Sequence, residues 1–107
     1  EFRRVLFRSV VNEFIKRAFN RGERQYPYFW RDNHGLEIDC LLDTPESLVP
    51  VEIKSGKTMA QSYFANLKTW QQLTGHQGGY VVYGGDASMK TSQGMFVSWK
   101  QLEEINA

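Results

Sequence analysis

Leu36-Glu37-Ile38-Asp39-Cys40-Leu41-Leu42 and Val49-Pro50-Val51-Glu52-Ile53-Lys54, separated by Asp43-Thr44-Pro45-Glu46-Ser47 and Leu48, decide the fold. Apolar and charged residues alternate in the first run as far as Cys40 and in the second from Val51, the period of a half-buried strand, and the Pro-containing linker is a turn. Side chains two apart share a face. The alternation therefore predicts Leu36, Ile38, Cys40 and Leu42 on one face, with Glu37 and Asp39 on the other. In the second run Val51 and Ile53 oppose Glu52 and Lys54. A turn centred between Pro45 and Glu46 pairs residues whose numbers sum to about 91, by that placement of the turn. Asp39 then faces Glu52, and Glu37 faces Lys54.

Upstream, Tyr26 to Arg31 is rich in aromatic strand formers, and Pro27 sits near its start, where a missing donor costs least. It adds a third strand to the hairpin. Val10, Val11, Phe14, Ile15, Ala18 and Phe19 recur at helical spacing, predicting a helix over Val10–Asn20. Downstream, Ala60, Tyr63, Phe64, Leu67, Trp70 and Gln71 make one stripe of a helix running from about Ser62 to Thr74 and stopped by Gly75. Gly79–Tyr83 reads as a strand buried on both faces, and Met95–Ser98 as a last short strand. Ser98 followed by Gln101 resembles a capping box opening a final helix. The order α-β-β-β-α-β-β-α predicts an α/β fold, a mixed sheet flanked by helices.

The 107 residues, 41% of them hydrophobic, suffice for one small core. The single cysteine can form no internal disulfide, which suits a reducing compartment. No apolar run approaches the ~20 residues of a membrane span, and no Cys/His cluster has zinc spacing. Glu1-Phe2-Arg3-Arg4-Val5-Leu6-Phe7-Arg8-Ser9 looks like the conceptual translation of a common short-read sequencing adapter, GAG TTC AGA CGT GTG CTC TTC CGA TCT. We expect residues 1–9 to be a scar of assembly, with residues 10–107 a truncated domain whose natural chain continues upstream. Without the scar, ten basic and eleven acidic residues remain, and the net charge moves from +1 to −1. Global charge then gives no vote for nucleic acid.

Two facing acids welcome a hard divalent cation, and Mg²⁺ takes oxygen ligands from one or two carboxylates. Lys54, on the face of Glu52, would stabilise charge on a scissile phosphate. The same spacing also fits a Glu37–Lys54 cross-strand ion pair with Asp39 and Glu52 on a solvated face.

The wording Tyr28-Phe-Trp-Arg-Asp-Asn-His-Gly-Leu-Glu-Ile-Asp39, then Val49-Pro-Val-Glu-Ile-Lys-Ser55, resembles the PD-(D/E)XK restriction-endonuclease-like superfamily. It is more closely similar to the uncharacterised domain at the C-terminus of many bacterial and archaeal AAA-type ATP-binding proteins. The likeness extends through Asn66–Trp70, Val81–Asp86 and Val97–Trp99, and so over nearly all of residues 10–107. It implies a restriction-endonuclease-like fold, a triad of Asp39, Glu52 and Lys54, and Mg²⁺ or Mn²⁺ held by Asp39 and Glu52. It implies a cytoplasmic protein acting on DNA, with ATP bound only by an N-terminal ATPase domain absent here. Gln71 resembles the helix glutamine of some nuclease branches, and an amide packed against a backbone group fits it equally well. Such domains carry an acid on the first helix, which here falls near Phe7. Glu13 lies opposite its helix's apolar stripe and reads as a surface residue. The alternative to an enzyme is a catalytically inactive nuclease fold that binds a protein or nucleic-acid partner for the ATPase.

Three further features carry less. Ser55-Gly56-Lys57-Thr58 looks like the end of a Walker loop, but Val51 stands where that motif needs Gly. Cys40 reads as a buried, inert thiol. Lys16, Arg17, Arg21, Arg24 and Arg31 make either a phosphate-tracking stripe or a solvated helix face.

Overall fold

The computed structural model describes residues 1–22 and 27–106; Arg24 and Tyr26 of the readings above lie outside them. Helix α1 (Phe2–Asn20) leads into strands β1 (Tyr28–Arg31), β2 (Glu37–Asp43) and β3 (Leu48–Ile53). A 3₁₀ turn (Gln61–Phe64) runs into helix α2 (Ala65–Thr74), followed by β4 (Tyr80–Tyr83), β5 (Met89–Lys90), β6 (Met95–Ser98) and a closing 3₁₀ turn (Leu102–Glu104). The six strands form one sheet in the order β1-β2-β3-β4-β6-β5. β2 runs antiparallel to both β1 and β3, β3-β4 and β4-β6 are parallel, and β5 returns antiparallel to β6. This is a mixed α/β sheet of restriction-endonuclease-like topology.

One layer of core lies between the sheet and α1. Leu6, Val10 and Phe14 pack there on Cys40, Leu42, Val51, Val82, Val97 and Ile105. The other lies under α2, where Phe64, Leu67 and Trp70 meet Leu36, Ile38, Leu41, Val81, Tyr83 and Phe96. β4 contributes to both layers because it is central, as its continuous apolar run requires. Helix α2 ends where expected, with Gly75 at φ 74° and its N–H donating 2.9 Å to the Gln71 carbonyl. A residue with a Cβ disfavours that left-handed turn.

The structure corrects several expectations. α1 starts at Phe2, inside the adapter-like stretch, and Leu6 is fully buried. Its inward stripe is Leu6, Val10, Phe14 and Ala18, one residue per turn, whereas Ile15 and Phe19 are exposed. The helix lies on the sheet through one narrow line, so the wider predicted face has no partner on its flank. The expected last helix is only a 3₁₀ turn, because Ser98 is occupied elsewhere: its Oγ donates 2.7 Å to the Gly85 carbonyl and accepts the Lys100 N–H at 3.2 Å. A short extra strand, β5, pairs with β6.

The most consequential correction lies in β2. Leu36, Ile38, Cys40 and Leu42 do not share a face. Leu36, Ile38 and Leu41 pack under α2, while Cys40 and Leu42 pack under α1. The β1-β2 register slips by one residue between Tyr28↔Leu41 and Trp30↔Ile38. A bulge of this kind inserts one unpaired residue and re-aims the side chains beside it. It falls at Asp39.

Candidate functional site

The predicted β2-β3 register is the one observed, from Asp43↔Leu48 to Cys40↔Val51. Beyond Cys40 the backbone ladder gives way to side chains. The Asp39 N–H donates 3.0 Å to Glu52 Oε1, and the Ile53 N–H donates 2.8 Å to Asp39 Oδ2. Each carboxylate thus accepts a backbone N–H from the opposite strand, where the bulge has taken the carbonyl partner away. Burial leaves few alternatives for those donors, since an unpaired N–H costs about 1–3 kcal/mol.

Glu52 is 1% exposed. Its other oxygen, Oε2, accepts the Asn66 Nδ2 amide at 3.2 Å and lies 3.8 Å from Lys54 Nζ. Burial, with the neighbouring Asp39 charge, pushes the Glu52 carboxyl above its ordinary range. The hydrogen bonds from Asp39 and Asn66, and the Lys54 charge, only partly oppose this. Burial and Asp39 likewise push the Cys40 thiol up to about 12, so it stays a neutral, 1%-exposed core residue.

Asp39, Glu52 and Lys54 line one open cleft of about 980 Å³ between the N-terminal turns of α1 and the start of the 3₁₀-α2 segment. Phe7, Arg8 and Val11 form one wall, and Ser55, Gly56, Tyr63 and Asn66 another. The Tyr63 hydroxyl packs against Gly56, in the space a Cβ there would take. Asn66 is missing from the sequence-derived set, although the signal exists: it is a polar residue three after Tyr63 and four before Trp70, on the inner side of a helix.

Other expected roles fall elsewhere. Glu37 does not meet Lys54; Arg31 holds it through Nε at 2.9 Å and Nη2 at 2.5 Å. Gln71 is outside the cleft. Its Nε2 donates to the Gly78 carbonyl at 2.7 Å and the Gln93 carbonyl at 2.9 Å, tying two loops together. That is a positioning role for backbone, and it places Gln71 away from Asp39 and Glu52. Within the basic stripe Arg17 is already engaged: it donates to the Ile105 and Leu102 carbonyls, both at 2.7 Å, and to Glu13 at 3.0 Å. Ser55–Thr58 forms a loop and opens no helix, so it lacks the frame of a phosphate-binding turn.

The donor set fits a divalent cation poorly. Among the described residues no three His, Cys, Asp or Glu side chains gather to hold a metal. Of the four oxygens of Asp39 and Glu52, the expected ligands, three already accept protein N–H groups. Phe7 presents a ring to the cleft where a third acid is expected.

Among the described residues no helix is long and apolar enough to cross a membrane. No curated protein and no solved structure matches the chain. A family model does, over residues 8–102: Domain of unknown function (DUF4143). That span takes in α1 from Arg8, the whole sheet, and Asp39, Glu52 and Lys54 of the cleft. The chain therefore belongs to the DUF4143 family, whose members occur C-terminal to bacterial and archaeal AAA-type ATPase domains.

Proposed function

We propose that this domain is a non-catalytic nuclease-fold module that binds a partner on behalf of an AAA-type ATPase. The observation that carries the reading is the state of the acidic pair. Asp39 and Glu52 are spent on backbone and amide donors, and Glu52 is buried, which pushes its carboxyl above the ordinary range. A buried carboxylate that must give up two hydrogen bonds before it ligates is a poor partner for a weakly bound hard cation. Family membership supports the ATPase context, and the open cleft supports binding.

A metal-dependent phosphodiesterase acting on DNA is the second reading. It is favoured by one observation: Asp39, Glu52 and Lys54 share a single cleft. Thermal melts with millimolar Mg²⁺ or Mn²⁺, on this chain and on Phe7→Glu, separate the two. The module reading expects no metal-dependent rise in Tm and no DNA cleavage from either protein. A metal-linked Tm rise in the chain as it stands, together with cleavage lost in Asp39→Ala and Lys54→Ala, overturns it.

A further inference from the structure

β1 stands at one end of the sheet, and all four of its residues are exposed. The other end closes with β5, whose two residues are too few to template a further strand. The Asp32 N–H donates 3.1 Å to the Leu36 carbonyl, and the ladder steps back from that bond through Arg31↔Glu37 and Trp30↔Ile38. Backbone groups of alternate residues point to opposite edges of a strand. Trp30 therefore turns its N–H and carbonyl toward β2, while Phe29 and Arg31 turn theirs outward. No hydrogen bond among the described residues takes those four outward groups.

The edge is also apolar on both faces. Tyr28 and Trp30 pair with Leu41 and Ile38, under α2, and the Trp30 ring meets Trp70 edge-on at 5.8 Å. Phe29 takes the α1 face, where Ile15 and Phe19 continue the flank of α1 that Val11 shows to the cleft. Tyr28, Phe29, Trp30 and Phe19 are 40, 53, 37 and 73% exposed. At about 150–250 Å² for each aromatic side chain, they leave roughly 300–500 Å² of apolar surface in water. One partner of a standard interface contributes about 800 Å², somewhat over half of it apolar. The patch matches that apolar share.

We infer that β1 is a dimer edge, where two copies of this chain pair antiparallel about a two-fold axis and join their sheets. The outward groups fix the register. Phe29 of each copy exchanges both backbone hydrogen bonds with Arg31 of the other, and Trp30 faces Trp30 at the axis as the closely spaced pair. The Arg31 guanidinium then lies opposite the Phe29 ring, a cation–π contact. The neighbouring register, with Phe29 at the axis, sets Arg31 against Pro27, which has no N–H to give. This dimer goes beyond the function proposed above and uses neither Asp39 nor Glu52.

Sedimentation equilibrium on the full chain over roughly 10 μM to 1 mM, the range of weak association, is the test. The mass is expected to rise toward twice that of the monomer. Phe29→Lys, which sets an ammonium opposite each Arg31, is expected to raise the dissociation constant at least about tenfold. Phe29 is exposed, so the variant is expected to keep its Tm; if it does not, Phe29→Pro, which removes only an outward N–H, carries the same measurement. Under mild oxidation Trp30→Cys is expected to give a disulfide-linked dimer and Phe29→Cys is not, Cys40 being buried in both. A chain that stays monomeric at the highest concentration overturns the inference. So does a dimer whose dissociation constant is unchanged in Phe29→Lys, or one cross-linked through Phe29→Cys and not through Trp30→Cys.

Discussion

Asp39 distinguishes a structural acid from a metal ligand, because the two roles respond differently to Asn and to Ala. Asp39 Oδ2 accepts the Ile53 N–H at 2.8 Å, at the point where β2 no longer supplies a carbonyl. Asp39→Ala leaves that N–H without a partner in a half-buried seam. The cost is about 1–2 kcal/mol, the lower part of the range for an orphaned buried donor. For a domain of this size it is a fall of roughly 4–16 °C in Tm. Asp39→Asn keeps a side-chain carbonyl oxygen at the same reach and removes a negative charge beside buried Glu52. It is expected to stay within about 0.5 kcal/mol of the parent. Melts followed by far-UV circular dichroism, without metal and with millimolar Mg²⁺, measure both. An Asn variant as unstable as the Ala variant in metal-free buffer refutes the seam argument. A Mg²⁺ stabilisation present in the parent and absent from both variants refutes it as well.

Three other outcomes follow from the same structure. Because the Glu52 carboxyl lies above its ordinary range, the folded chain holds that proton more tightly than the unfolded one; stability from this group falls as pH rises from the ordinary carboxyl value through the folded one. Glu52→Gln, which keeps an acceptor for the Asp39 N–H, is expected to lose that fall, and urea midpoints across the acid range would contradict this if the two proteins ran parallel. Leu6→Ala is expected to cost about 2–5 kcal/mol, since Leu6 is 0% exposed under the sheet; a loss near zero by urea denaturation would mean the first turns of α1 are not docked. Gly84→Ala places a Cβ 2.7 Å from the Ser55 carbonyl oxygen and 2.9 Å from the Phe2 ring. We expect about 1–3 kcal/mol of destabilisation in the same assay, with an unchanged midpoint counting against the close approach of the β3 and β4 loops.

Much of the architecture was legible without coordinates. The two-residue alternation on either side of Asp43–Ser47, the turn at Pro45 and the stripe of α2 are local signals, and local signals survive tertiary packing when every level agrees. They determined the hairpin, its register and the crossover helix ending at Gly75. They also placed Asp39, Glu52 and Lys54 at one end of the sheet. Composition alone could not say which way β2 turns its side chains after Ile38, because a bulge is set by the pairing partner, here β1, whose register slips at Tyr28–Trp30. Nor could it say that Gln71 serves two loop carbonyls, that Ser98 is claimed by Gly85 instead of a helix, or that Asn66 reaches Glu52. Those are contacts between residues distant in the chain, and hydrogen-bond partners are chosen by what packing brings within 3 Å. The sequence by itself determined that Asp39 and Glu52 meet across the hairpin. Only the tertiary structure decided that these acids satisfy the backbone, because whether a carboxylate is free to bind depends on the donors that burial has already placed around it.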